Sequence, residues 1–183
     1  AIEIAEEIGY PVIVKATAGG GGKGMRVATD VASLRKAVTA AQQEAIASFG
    51  NGAVYLEKFL ESARHIEVQV LGDKHGNAIH LYNRDCTSQR RHQKLIEEGP
   101  APGVDPEVRD RVCNSAAELI RKANYSGAAT VEFLMNKKQE FFMLEVNTRV
   151  QVEHPVTEMI TGVDIVKESI RVAAGEPLSW SQD

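Results

Sequence analysis

The sequence is short of several things, and each shortage excludes something. It has two cysteines in 183 residues, Cys86 and Cys113, with no pairing pattern. That argues against a disulfide scaffold and fits a reducing compartment. Basic residues are not in excess: 21 Lys and Arg face 25 Asp and Glu, for a net charge of −4. A general nucleic-acid surface is therefore not expected. No apolar run approaches ~20 residues, so no membrane-spanning helix is expected. His65, His75, His80, His92 and His154 show no compact ligand spacing, which argues against structural zinc. There is no internal repeat and no low-complexity linker. The chain starts without Met inside a helical pattern, and the expectation is a piece of a longer protein.

What is present reads as α+β with mostly antiparallel strands. "AIEIAEEIG" has helical spacing and ends at Gly9 as a C-cap. "YPVIVKA" and "MRVATD" read as strands, and Asp30 caps a helix that stops at "GNG". "AVYLEKFL", "RHIEVQVLGD", "NAIHLYNRDCTSQ" and "RRHQKLIEEGPAP" read as strands, with the turn "GDKHGN" making a hairpin. A helix follows from Asp105 and Pro106. "GAATVEFLM" and "EFFMLEVNTRVQVE" are strands about "NKKQ", and a final helical stretch is interrupted at Gly-Val-Asp. Residues 1–59 read as one small lobe and 60–183 as a sheet-based lobe.

Three stretches carry chemistry. In "KATAGGGGKGMR" the glycines join two strands. The P-loop is excluded because Gly22-Lys23 is followed by Gly24 rather than Ser or Thr. The dinucleotide pattern fails because no helix follows. The run is either a flexible hairpin tip or a backbone cradle for an anion, with Lys15 supplying a point charge. In "LEVNTRVQVEHP", Glu145, Asn147, Arg149, Gln151 and Glu153 occupy alternate positions, which on one strand would share a face. Such alternation usually marks a solvated face. Here, however, Glu132 sits in the apolar run "TVEFL", where a lone acid is costly unless paired or bound to metal. Glu132, Glu145 and Asn147 form a hard oxygen set suited to Mg2+ or Mn2+. In "RDCTSQRRHQKL", alternation on a strand would put Arg90, His92 and Lys94 on one face, as a solvated charge run or an anion pocket.

Together with "YLEKFLESARHIEVQVLGD" and "EVNTRVQVEHPVTEMITGVDIV", these strings closely resemble the biotin carboxylase component of biotin-dependent carboxylases, an ATP-grasp family, over essentially the whole chain. The resemblance implies an ATP-dependent ligase that activates bicarbonate as carboxyphosphate and delivers carbon dioxide to biotin. It implies an ATP-grasp lid lobe and hinge over 1–59 and the first part of the C-terminal lobe over 60–183. It also implies site residues. Lys15, Gly20, Gly21, Gly22 and Met25 match the phosphate-side contacts. Glu57, Lys58 and Leu60 match the adenine-reading hinge. His65, Gln89 and His92 match further nucleotide contacts, and Glu132, Glu145 and Asn147 match the metal ligands. Lys94, Arg149, Gln151 and Val152 match the bicarbonate pocket, and Glu153 the general base, which would work better with a raised pKa. Implied partners are a biotin carboxyl carrier, a carboxyltransferase and, often, a second copy. No Met-Lys-Met attachment motif is present, so biotin would be carried elsewhere. The acceptor stays open, acetyl-CoA and hence fatty acid biosynthesis being one expectation. An ATP-grasp ligase for another carboxylate and a non-catalytic nucleotide-binding module are the alternatives.

Overall fold

The structure, a computed structural model, describes residues 1–18, 24–91 and 93–182. It divides into two compact units, Ala1–Glu61 and Ser62–Asp183.

The first unit runs α1 (Ile2–Ile8), β1 (Val12–Ala16), β2 (Arg26–Ala28), α2 (Val31–Phe49) and β3 (Val54–Lys58). Its sheet has the order β2-β1-β3 and is wholly antiparallel. Asp30 starts α2 through a reciprocal cap: its carboxylate accepts from Ser33 N at 2.7 Å, and Ser33 Oγ accepts from Asp30 N at 3.1 Å. Leu34, Ala37 and Ala41, spaced by helical turns, pack onto Val12 and Val14.

The second unit runs β4 (Arg64–Gly72), β5 (Ala78–Asp85), β6 (Gln89–Arg90), β7 (Gln93–Lys94), α3 (Pro106–Lys122), β8 (Gly127–Met135), β9 (Phe141–Asn147), α4 (His154–Thr161) and α5 (Ile165–Ala173). Its main sheet has the order β5-β4-β8-β9, again antiparallel throughout. Alternation splits β4 and β8 between two faces. Val68, Val70, Ala129, Val131 and Phe133 pack with Val112, Cys113, Ala116 and Ile120 of α3. On the other face Leu71, Ile79, Leu81 and Ala128 pack with Val163 and Ile165. Further along that same face the buried side chains turn polar: Glu67, Gln69, Thr130 and Glu132. Full burial of a Val or Leu contributes on the order of 1.5–3 kcal/mol, and two such clusters offset the cost of the charged end. Gly162, at φ 72, ends α4, and Asp164 starts α5 by accepting from Lys167 N at 2.8 Å. The Gly-Val-Asp interruption in the sequence is thus a helix stop followed by a new cap.

Two expectations fail. The strand expected over "EFFMLEVNTRVQVE" ends at Asn147, and residues 148–153 run through bends and turns into α4. The run "RRHQKLIEEGPAP" is not one strand. Its start folds back on itself as β6 and β7, with Gln89 opposite Lys94 and Arg90 opposite Gln93. Arg91, at φ 51, makes the reversal. Arg90 and Lys94 therefore lie on different strands, and Arg90 is exposed. His92 lies outside the described residues, as do Gly20, Gly21 and Gly22.

Candidate active site

Register builds the site. Glu67 on β4 stands opposite Arg84 on β5 and Glu132 on β8, and Glu132 stands opposite Glu145 on β9. One row across four strands thus reads Arg84, Glu67, Glu132, Glu145. Like charges directly opposite one another destabilise a sheet, so this row needs cations. Arg84 closes one end. Its Nε donates to Glu67 Oε1 at 2.8 Å, and its Nη2 lies 2.7 Å from the same oxygen.

Lys94 supplies the second cation. The small β6–β7 hairpin carries its ammonium to Glu67 Oε2, to Glu132 Oε1 at 2.9 Å and to Glu153 Oε1 at 2.5 Å. Burial works against the Lys94 charge, but the Glu67 carboxylate and the bonds to Glu153 and Glu132 outweigh it and raise its pKa. For Glu132, burial favours the neutral form. The His65 and Lys94 bonds overcome this and hold the carboxyl at about 2. Glu153, 8 % exposed, shows the same contest: burial is outweighed by Lys94 and a backbone bond, and its pKa is lowered. A raised value would suit a base better. The lowering has a plain cause, an ammonium within bonding distance.

The chain past β9 returns to the same carboxylate despite leaving the strand. Asn147 Nδ2 and Gln151 Nε2 donate to Glu132 Oε1 at 3.0 and 3.1 Å, and Arg149 donates to Asn147 Oδ1 at 3.1 Å. Glu153 is the N-cap residue of α4. On the far side of Glu132, His65 Nε2 lies 3.0 Å from Oε2. Gln89 Nε2 stands 2.8 Å from His65 Nδ1 and donates to Cys86 O at 2.9 Å. An amide donor at Nδ1 leaves the ring proton on Nε2, the nitrogen beside Glu132. The structure thus gathers His65, Gln89, Lys94, Glu132, Asn147, Arg149, Gln151 and Glu153 into one network. Val152, 92 % exposed, and the exposed Glu145 make none of these bonds.

In the first unit, Lys15 pairs with Glu57. Lys58 donates to the carbonyls of Gly9 and Tyr10 at 2.9 and 3.0 Å. Met25 and Leu60 are half-buried. Gly24, at φ +72, packs so closely on Ala16 that a Cβ would stand 2.9 Å from the Ala16 methyl.

The residues present suit a divalent cation with a phosphate ligand. Glu132 and Glu145 lie side by side and Asn147 adds an amide oxygen, all hard donors. Glu67, Glu132, Glu145 and Glu153 outnumber Lys94, Arg84 and Arg149, so a cation would offset the remaining charge. Thr130 Oγ1 and Gln151 Oε1 are buried without a partner among the described residues, which leaves oxygens free to accept.

Glu67, Arg84, Gln69 and Thr157 were not anticipated. Glu67 carried the signal used for Glu132, an acid between apolar neighbours, here Ile66 and Val68. Nothing in "LYNRDC" marks Arg84 as buried.

The fold and this network define an ATP-binding domain of the ATP-grasp class. The chain belongs to the family described as carbamoyl-phosphate synthase L chain, ATP binding domain, whose model matches residues 1–181. Within that family it is similar to biotin carboxylases. It is 57% identical over 183 residues to the biotin carboxylase of Pseudomonas aeruginosa, covering 100% of this chain and 40% of that protein. It is 54% identical over 181 residues to the mitochondrial methylcrotonoyl-CoA carboxylase subunit alpha of Rattus norvegicus, covering 99% of this chain and 25% of that one. It also matches the biotin carboxylase domain dimer of the Hydrogenobacter thermophilus 2-oxoglutarate carboxylase, solved with MgADP, ADP and bicarbonate. That match has a TM-score of 0.95 and 51% identity, over 98% of this chain and 40% of that one. The chain thus spans between a quarter and two fifths of these relatives. Among the described residues no helix is long and apolar enough to cross a membrane.

Proposed function

We propose that the protein carboxylates biotin at the expense of ATP and bicarbonate, through carboxyphosphate, and that this chain carries much of its nucleotide, metal and bicarbonate machinery. The observation that supports the reading best is Lys94, bonded at once to Glu132 and Glu153. A metal-binding acid and a candidate base share one cation.

In this reading Glu153 is the base. Lys94 keeps it ionised at neutral pH and therefore able to accept bicarbonate's proton. When the ammonium turns to the substrate anion, Glu153 loses a bond that lowers its pKa and becomes a stronger base. Arg149, Gln151 and the backbone at Val152 hold bicarbonate beside it. Glu132, Glu145 and Asn147 would hold Mg2+ or Mn2+. The metal supplies charge neutralisation on the phosphates. His65, Gln89 and His92 make polar contacts to the nucleotide. Lys15, Met25 and the backbone of Gly20, Gly21 and Gly22 contact its phosphate side, while Glu57, Lys58 and Leu60 read adenine. The carrier of biotin, a carboxyltransferase and a second copy are the expected partners, with acetyl-CoA one possible final acceptor and a cytoplasmic or matrix location.

Phosphate release from ATP and Mg2+ by the full-length protein, with and without bicarbonate and then with free biotin, tests this. Turnover should require bicarbonate and rise with biotin. Glu153→Gln should lower bicarbonate-dependent release by at least about a hundredfold while ADP binding stays within about twofold. Turnover indifferent to bicarbonate and biotin would move the protein to another carboxylate substrate.

A further inference from the structure

Behind the Lys94–Glu153 pair lies a cation that touches neither. Arg84 is 0 % exposed. Its Nε and Nη2 hold Glu67 Oε1, while Nη1 donates to Gln69 Oε1 at 2.9 Å and to Thr157 Oγ1 at 2.6 Å. Gln69 is itself oriented, because its Nε2 donates to Ala129 O at 3.0 Å. Glu67 divides its oxygens: Oε1 goes to Arg84 and Oε2 to Lys94. Thr157 is four residues after Glu153, one turn along α4, so both side chains lie on one face.

We infer that Arg84 is a positioning residue for the Lys94–Glu153 pair. It aims Lys94 through Glu67, and it fixes Glu153 by tying α4 to the sheet through Thr157. The inference rests on the functional reading above. A buried ion pair is a weak stabiliser compared with apolar residues of the same volume, so stability alone is a poor reason for a guanidinium here. Its geometry offers a better one. A planar fork of donors reaches two side chains of the neighbouring strand and one of a helix at once, and groups held to within a fraction of an ångström are what a proton transfer needs.

The test uses the full-length protein. Thr157→Val keeps the shape and removes the acceptor, Thr157→Ser keeps the hydroxyl, and Arg84→Lys keeps the charge and removes the fork. Thr157→Val and Arg84→Lys should lower kcat for bicarbonate-dependent phosphate release about tenfold and raise KM for bicarbonate, with KM for ATP within about twofold. Thr157→Ser should stay within about threefold of the parent. Equal losses in the Val and Ser variants that follow melting temperature would overturn the inference, as would a Val variant with unchanged kcat and KM. Should the parent show no bicarbonate dependence, the functional reading fails instead. The inference is then judged by crystal structures of the parent and Thr157→Val. Displacement of Glu153 from Lys94 supports it, and an unchanged pair sinks it.

Discussion

Glu67 and Glu132 face each other as register partners on β4 and β8, and the Lys94 ammonium bonds them both. The cation therefore belongs to the fold as well as to the site. Lys94→Met should destabilise the full-length protein by roughly 2–4 kcal/mol at pH 7, because two buried acids lose their shared partner. Without Lys94, burial of Glu132 acts with less to oppose it and moves that carboxyl's folded-state pKa upward. The penalty is then present above that pKa and shrinks as pH falls towards it, so the deficit should narrow between pH 7 and 5. Urea denaturation at both pH values measures it. A variant as stable as the parent at pH 7 would show that the row tolerates its own repulsion.

Asp73 gives the clearest acid dependence. Burial pushes its pKa up, but bonds from Asn77, Leu178 and His75 prevail and hold it at about 2. The donors are His75 N at 2.8 Å, Asn77 N at 2.9 Å, Asn77 Nδ2 at 2.8 Å and Leu178 N at 3.0 Å. A depressed folded pKa contributes stability above the unfolded value of about 3.9, lost as pH falls through about 2. The contribution is on the order of 2 kcal/mol. Asp73→Asn should be less stable than the parent at pH 7 by about 1–2 kcal/mol, with the difference closing towards pH 2. A constant difference in acid melts would place the effect in packing rather than in charge.

Gly72, at the end of β4, is a packing requirement. A Cβ there would run into the Tyr125 carbonyl oxygen and meet Ile120 Cγ2 at 3.0 Å. Both belong to structure that cannot move without disturbing α3 and the start of β8. Gly72→Ala should cost roughly 1–3 kcal/mol, read as a lower melting temperature. Gly76→Ala, where nothing lies within 4 Å, is the control for the added methyl, although its φ of +88 adds some strain of its own. Equal losses in the two variants would reject the clash.

Much of the architecture was legible because local chemistry and global fold agree. Asp30 and Asp105 cap the helices they were expected to start, and the apolar alternation in β4 and β8 separates the sheet's faces. The site was legible in a different way. Arg149, Gln151 and Glu153 were grouped by a period of two, yet the strand that would impose that period stops at Asn147. Gln151 and Glu153 are nevertheless buried at the same carboxylate cluster, because the turn into α4 doubles the chain back over Glu132. Arg90 and Lys94 show the reverse. Alternation grouped them, and one left-handed residue, Arg91, separated them. Arg84 and Thr157 were out of reach, since only tertiary register makes a polar side chain in an edge strand the partner of a helix formed seventy residues later.

The β6–β7 hairpin adds a consequence of its own. The sheet fixes the negative charges rigidly, by register, across strands with two packed faces. The positive charge that answers them arrives from outside that sheet, on two strands of two residues each. A change confined to that hairpin could shift, weaken or withdraw the answering charge and leave every strand of the sheet untouched. Acidity at the site and the charge balance of the sheet are in this sense set together from outside the core, by one short hairpin whose ammonium answers both.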